Sequence, residues 1–296
     1  MTSKVLDLAT VAHALIELRD AFLSYGKWEG INEQQQEFLN WYDLNHAEIK
    51  QLDSLEALAS TSHVELNRFL TDHGFDEMFD QFDGIGVASI LDILMEWASE
   101  GRVTEIIRTE PLAGKNFYGQ KIPKDVSYPA FQVDADIYEV GYEHPLVRLR
   151  TKTGHSLWLM KADEPPSGLA LNISAQALLH ADRSKEPSWT GVVVPMLEID
   201  TDGDVEWLLG MNDGEYYLEQ IFQKFKLRAN EKGARVKVAT GMVFARAACG
   251  PIEVPYTFDD PFVGFFTQPG HDTLLLAAFW ADTDSWRKPS GSLEDL

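Results

Sequence analysis

Three aspartates, Asp200, Asp202 and Asp204, alternate along the segment DTDGD, a spacing that can place carboxylates around a calcium ion. A calcium-binding EF-hand loop also requires a glycine directly after the third acid and a glutamate at its twelfth position. This sequence has Val205 and Met211 at those places. The segment is therefore predicted to be a polar turn after a strand, and we expect neither a metal site nor a cofactor.

The motifs of common catalytic centres are also missing from the sequence. It contains no nucleophile elbow, phosphate-binding glycine loop, HExxH pair or CxxC pair, and its eight histidines are scattered. Cys249 is the single cysteine, which excludes an internal disulfide and a thiolate zinc cluster and leaves at most a reactive thiol. We predict no catalytic residues and keep an enzymatic function only as an alternative.

The composition indicates an acidic globular protein. The 296 residues include 47 acidic and 25 basic side chains, which gives a net charge of −22 at pH 7. A field of this sign repels phosphate backbones and anionic lipid surfaces, so we expect neither a nucleic-acid partner nor a membrane partner. The first thirty residues carry several charges and no apolar run of the length of a secretion signal, which predicts a cytoplasmic protein.

The first hundred residues are predicted to be mainly helical. Apolar residues recur three and four positions apart from Val5 to Phe22, and this pattern stops at Gly26. The last helical pattern, Val87–Ser99, has the clearest apolar stripe and is ended by Gly101. The other predicted helices are Gln34–Tyr42, Ala47–Ala59 and His63–Asp72.

From about Phe131 onwards, apolar residues alternate with polar ones, which is typical of strands. Helices followed by strands predict an α+β fold with large mixed or antiparallel sheets, in a single domain over residues 1–296. Residues 1–107 are expected to be mainly helical and residues 108–296 mainly β. The predicted strands are the hairpin Leu146–Thr151 and Ser156–Lys161, the segments 191–199 and 223–229, and a second hairpin around the turn 267–272.

The segment that follows Glu231 combines alternation with charge. Ala234, Val236, Val238 and Thr240 share one face of an extended strand, and basic residues between them share the other face. Such a strand can bury its uncharged face in a sheet while its charges remain in water.

The order of the motifs around this segment resembles that of the serpin family. Residues 223–241 are similar to a serpin sheet strand that runs through a Glu-x-Gly turn into the hinge of the reactive-centre loop. Residues 93–107 resemble a family helix and its exit, through Ile93, Trp97 and Gly101, and residues 191–211 resemble a family strand that leads into a short helix. The Phe-x-x-Pro-Phe strand signature of the family is matched by Phe258, Pro261 and Phe262, ahead of a closing core strand that ends at Trp280.

Two departures from the family pattern have structural consequences. Serpins have a long apolar strand where this sequence has residues 108–130, so we expect one strand of the main sheet to be missing. Gln223 stands where the family usually has a histidine that ties the main sheet at the point where it opens.

The resemblance implies a function for the loop 231–255. In serpins, a serine protease cleaves the exposed loop, and the cut end inserts into the sheet as a new strand. The implied hinge residues are Glu231, Gly233, Ala234, Val236, Val238 and Thr240. The implied scissile bond lies near Ala247–Ala248, with Arg246–Ala247 one register away.

Two functions remain open at this point. The first is a serpin-like serine protease inhibitor that acts by loop insertion, or a non-inhibitory relative that binds a protein partner through its loop. The second is a protein that holds a small molecule in a pocket opened by the missing strand, or acts on that molecule as an enzyme, for example a cyclase.

Overall fold

Three of the four described α-helices lie in the N-terminal region, and strands make up most of the rest of the described chain. A computed structural model describes residues 4–22, 27–115, 121–164, 166, 168–185, 189, 191–235, 255–271, 273–291 and 293. Within these residues the chain forms four α-helices and large, mainly antiparallel sheets, which confirms the predicted α+β class. The helices are α1 (Leu8–Ala21), α2 (Glu33–Ile49), α3 (His63–Asp72) and α4 (Leu169–His180), and a 3-10 helix covers Glu206–Leu208.

The strands extend over most of the rest of the described chain. They are β1 (Lys4–Leu6), β2 (Leu55–Ser60), β3 (Gly86–Leu91), β4 (Leu94–Glu96), β5 (Arg102–Lys115), β6 (Lys121–Val133), β7 (Asp136–Glu139), β8 (Leu146–Arg150), β9 (Ser156–Lys161), β10 (Ser184–Lys185), β11 (Val192–Pro195), β12 (Leu197–Asp202), β13 (Lys224–Asn230), β14 (Gly233–Arg235), β15 (Tyr256–Thr257), β16 (Phe262–Thr267) and β17 (Ala278–Ala281).

Local capping explains where the first three helices begin. In each, the residue before the helix accepts the backbone N–H of the residue three positions on, which satisfies one donor of the first turn. These pairs are Asp7 with Thr10, Asn32 with Gln35, and Ser62 with Glu65. Helix α4 follows Gly168 without a side-chain cap, and the sequence pattern predicts no helix there.

The largest sheet holds both predicted hairpins. Its strand order is β1-β17-β16-β9-β8-β7-β10. β8 pairs with β9 and β16 pairs with β17, both antiparallel, so the alternation in these segments is confirmed as strand structure. Fully buried aromatic side chains fill this sheet's core, and they include Phe262, Phe265, Phe266 and Phe279.

A second sheet, in the order β15-β11-β6-β5, occupies the interval in which the family resemblance indicates a lost strand. β5 and β6 pair with each other along most of their length, from Arg102 with Gln132 onwards. The interval is therefore rich in strand structure. Neither strand, however, belongs to the sheet that contains Gly233.

Two helix predictions are wrong. The segment 87–99 forms β3 and β4, and the end of the segment 47–59 forms β2, which pairs with β3. Ala88 and Ile90 on one face of β3 pack with α3, whereas Val87 and Leu91 pack against the main core. Because both faces of β3 are covered, its apolar run has no clear period of two, and the pattern resembles a helical stripe.

Candidate functional site

The predicted hinge begins inside a sheet. Glu231 lies in the turn after β13, and the chain then enters β14, which pairs antiparallel with β13 on one side and with β4 on the other. Ala234 is fully buried and lies opposite Ala229 and Met95. The other predicted hinge and scissile-bond residues lie outside the described residues: Val236, Val238, Thr240, Arg246, Ala247 and Ala248.

Close backbone contacts fix this turn in place. A Cβ atom on Gly233 would lie 2.0 Å from the carbonyl oxygen of Met95, so only glycine fits between β13 and β4. Gly101 is similarly close, because a Cβ there would lie 2.7 Å from the carbonyl oxygen of Glu231. The N–H of Gly101 donates to that same oxygen at 2.9 Å.

Trp97 holds the two sides of this turn together. Its side chain is 1% exposed and stacks on Phe131, with the ring centroids 5.7 Å apart. The indole Nε1–H donates to the carbonyl oxygen of Asn230, the last residue of β13, at 2.8 Å. We call this region, formed by Trp97, Phe131, Asn230 and Gly233, the closed end of the sheet.

The four-stranded sheet that contains this turn, in the order β12-β13-β14-β4, is open beyond β14. β14 covers β13 only from Arg228 to Asn230, and no described strand pairs with the same edge of β13 between Lys224 and Leu227. β3 pairs with β2 on one edge, and no described strand pairs with its other edge. The two strands thus separate beyond β14, and a cavity of about 360 Å³ lies between them. We call this region the open end.

Apolar and aromatic side chains form most of the wall of the open end. Helix α1 contributes Val11, Ala14, Leu15 and Leu18 from behind the sheet. The segment 74–82, between α3 and β3, covers the cavity from the other side. The lining side chains of that segment are Phe75, Met78, Phe79 and Phe82.

Contacts across the gap anchor the covering segment to β13. The Lys226 ammonium donates to the carbonyl oxygen of Gly74 at 2.9 Å and lies 5.2 Å from the ring centroid of Phe75. Phe79 meets Phe222 edge to face, with the centroids 5.2 Å apart. The cavity is therefore enclosed by tertiary contacts between segments that are far apart in the sequence.

A polar junction forms one region of the wall. The Gln223 side chain accepts the N–H of Asp7 at 2.9 Å and donates to the Asp7 carbonyl oxygen at 2.7 Å and to the Thr10 hydroxyl at 3.3 Å. In place of the histidine that the family resemblance indicates, a glutamine thus ties the entry of β13 to the start of α1. All three residues line the cavity.

Asp7 is the buried acid of this junction. It is 5% exposed, and its Oδ1 accepts the backbone N–H of Thr10 at 3.0 Å as the helix cap. Burial raises the pKa of Asp7 to about 7, although hydrogen bonds from Thr10 and the backbone of Ala9 favour the ionised form. Near pH 7 this carboxyl group can therefore either donate or accept a proton.

Sequence reasoning did not identify the residues of the cavity. In GFDEMFDQFDGIG (74–86), Phe75, Met78, Phe79 and Phe82 have the spacing of one helix face, although the chain forms no helix there. This cluster of large apolar residues is the signal that could have indicated a covering segment. Asp7 shows only the pattern of a helix cap. The tertiary fold buries it and brings its backbone against Gln223, which is 216 positions away.

The alternating aspartates bind a lysine of the neighbouring strand. Asp200 and Asp202 lie at the end of β12, and the Lys224 ammonium is 3.0 Å and 3.3 Å from their carboxylates. Within the described ranges, no three histidine, cysteine or acidic side chains cluster as metal ligands. No helix in the described regions of the chain has both the length and the apolar character needed to cross a membrane.

The sequence matches no protein-family model and no curated protein. The fold does match solved structures. A thermophilic serpin, tengpin, in its native state is similar at a TM-score of 0.54 and 12% identity, over 95% of this chain and 89% of that one. A thyroxine-binding globulin in complex with thyroxine is similar at 0.50 and 10% identity, over 97% and 94%. Serpin48 of the insect Tenebrio molitor has a TM-score of 0.49 and 11% identity, over 95% and 92%.

The first two of these matches extend over nearly the whole length of both chains, at identities too low to indicate a shared function. They agree with the element order and the sheets described above. The chain has the serpin fold.

Proposed function

We propose that this protein binds an apolar small molecule in the open end. The observation that carries the proposal is the cavity of about 360 Å³ between β3 and β13, lined by α1 and by the aromatic covering segment. Its volume lies in the range of ligand pockets, and its wall combines many apolar side chains with one buried polar junction. This combination is typical of sites that bind a ligand through its apolar surface and orient it through a few polar atoms.

Exposed aromatic side chains mark the way into the cavity. Tyr216, Tyr217 and Phe222 line it and are 44%, 67% and 40% exposed. Large apolar side chains in water favour contact with a ligand or partner, because that contact removes them from solvent. The thyroxine complex among the structural neighbours supports the view that this fold can carry a small molecule.

Filling the cavity tests the proposal. A neutral fluorescent naphthylamine, whose emission rises in apolar surroundings, should bind the wild-type chain with one saturable site. Ala14→Leu adds apolar volume from α1 into the cavity and should weaken that binding by at least tenfold. The matched control is Ala170→Leu on an exposed position of α4, which should bind as the wild type does. Equal binding by all three chains would reject the proposal.

A second candidate function, inhibition of a serine protease by loop insertion, is supported by the position of β14 between two strands. In the inserted state of this candidate, a strand that extended β14 would pass between Phe225 of β13 and Leu91 of β3. Both of these residues line the cavity. A further inserted strand and a bound ligand would therefore compete for the same space. A variant of this candidate is a non-inhibitory relative that binds another protein through its loop. For both variants we propose a cytoplasmic location.

Incubation with trypsin, subtilisin and elastase separates the two candidates. An inhibitor should form a covalent complex with a protease that persists on a denaturing gel. Cleavage of the loop should then raise the melting temperature and expel the naphthylamine probe. A binding protein without insertion should show a cleaved chain, an unchanged melting temperature and unchanged probe binding.

A further inference from the structure

The charged side chains around the cavity are mostly acidic. Among the described lining residues, the acids outnumber the lysines, and one histidine adds a third kind of titratable group. The acids are Asp7, Asp83, Asp92, Glu215 and Glu219, the lysines are Lys224 and Lys226, and the histidine is His73. With a net charge of −22 on the whole chain, the potential in this region favours cations.

Both lysines already have partners of their own. Lys224 lies 3.0 Å from the Asp200 carboxylate, and Lys226 donates to the carbonyl oxygen of Gly74. Neither contact involves Asp7. Among the described residues, no lysine, arginine or histidine lies at salt-bridge distance from the Asp7 carboxylate, although Asp7 is only 5% exposed. A buried carboxylate without a cation is costly, and a cationic ligand would remove that cost.

Aromatic rings in the wall provide a second attraction for cations. The ring faces of Phe, Tyr and Trp carry negative potential and attract ammonium groups at about 6 Å or less. The covering segment already uses this interaction, because the Lys226 ammonium lies 5.2 Å from the centroid of Phe75. Trp28, Phe79 and Phe82 also line the cavity.

We propose that the ligand of this cavity is an apolar cation, a hydrocarbon body with one ammonium group that pairs with Asp7. The inference rests on the proposed small-molecule function and specifies the chemical class of the ligand. The apolar wall would bind the body, and Asp7 would select the charge.

Three probes with the same alkyl chain test this selection: an alkyl trimethylammonium, the corresponding primary alcohol and the corresponding carboxylate. Each is measured by displacement of the neutral naphthylamine. The ammonium probe should bind at least tenfold more tightly than the alcohol, and the carboxylate should bind most weakly. In Asp7→Asn, the ratio of ammonium to alcohol affinity should fall close to one.

A matched control separates Asp7 from the general negative field of the protein. Asp163 is exposed and does not line the cavity, so Asp163→Asn removes the same charge elsewhere and should leave the affinity ratio unchanged. Equal loss of the preference in both variants would overturn the assignment to Asp7. If the alcohol and the carboxylate bind as tightly as the ammonium, the ligand class is wrong while the binding function stands. If no probe binds, the binding function itself fails.

Proton release gives a readout that a purely structural role of Asp7 would not produce. Because burial raises the pKa of Asp7 to about 7, about half of the molecules carry the proton at this pH. A permanently charged ammonium would displace it, and calorimetry in two buffers of different ionisation enthalpy should detect about half a proton released per ligand. Asp7→Asn should release close to none, although His73 and the other acids of the wall remain. Unchanged release in this variant would contradict the proposal.

Discussion

The closed end and the open end lie along the same strand, β13, and differ in what lies beside its edge. At the closed end, β14 fills the space between β13 and β4, and the backbone contacts are so close that Gly233 has no room for a Cβ atom. At the open end, β13 and β3 separate, and side chains from α1 and the segment 74–82 surround a cavity. The closed end thus supplies rigidity, and the open end supplies space. A preformed ligand pocket requires both, because rigid contacts must hold the walls of the cavity apart.

The largest effect is expected from Trp97→Ala at the closed end. The change removes a buried indole, its stacking on Phe131 and its hydrogen bond to Asn230, and should reduce the free energy of unfolding by about 3–5 kcal/mol. Chemical denaturation measures this loss. Trp97→Phe retains an aromatic ring and should lose clearly less. A loss below about 1 kcal/mol for alanine would mean that packing does not hold this end closed.

The next effect depends on pH and concerns Asp7 at the open end. Its pKa is raised from 3.8 to about 7 in the folded chain, so the folded state binds the proton more tightly than the unfolded state. The stabilisation that proton binding to Asp7 gives the folded state is present at low pH and is lost as the pH rises from about 4 to about 7. Asp7→Asn cannot ionise and still caps α1, so it should be more stable than the wild type near pH 8, by at most about 4 kcal/mol.

Denaturation curves of both chains across this pH range measure that difference. The two chains should have nearly equal stability near pH 4, because Asp7 is then protonated in the folded state. A variant that is equally or less stable at the higher pH would show that the buried carboxyl group is not destabilising there.

A smaller effect is expected from filling the cavity. Ala14→Leu places additional methyl and methylene groups against apolar walls and should increase the free energy of unfolding by about 1 kcal/mol, less any packing strain. Thermal unfolding of this variant and of the exposed control Ala170→Leu measures the gain. A destabilised Ala14→Leu chain next to an unaffected control would indicate that the open end has no usable space.

The smallest effect is expected from an ion pair beside the closed end. Lys152 lies 2.6 Å from Glu96 of β4, but the two side chains are 61% and 31% exposed. Solvent screens such pairs, so Lys152→Ala should change the free energy of unfolding by about 0.5 kcal/mol or less. Urea denaturation at low and high salt measures this change. A loss that approaches that of Trp97→Ala would mean that charge, rather than packing, holds this end.

The strands with one clear buried face were predictable from the sequence. In β13 the buried residues Phe225, Leu227 and Ala229 alternate with less buried ones, and the prediction of a strand there is confirmed. β3 could not be distinguished from a helix in this way, because α3 covers one face and the main core covers the other. The open end was even less predictable, since it consists of an edge that remains without a described partner strand.

The sequence by itself determined the α+β class, three of the four described helices, both hairpins and the serpin-like order of the motifs, because these features depend on local spacing and on short turns. Only the tertiary structure decided where β13 and β3 separate, which segments enclose the cavity and why Asp7 is buried. These properties arise from contacts between residues as far apart as Asp7 and Gln223. No local sequence pattern predicts a contact between residues so far apart in the chain.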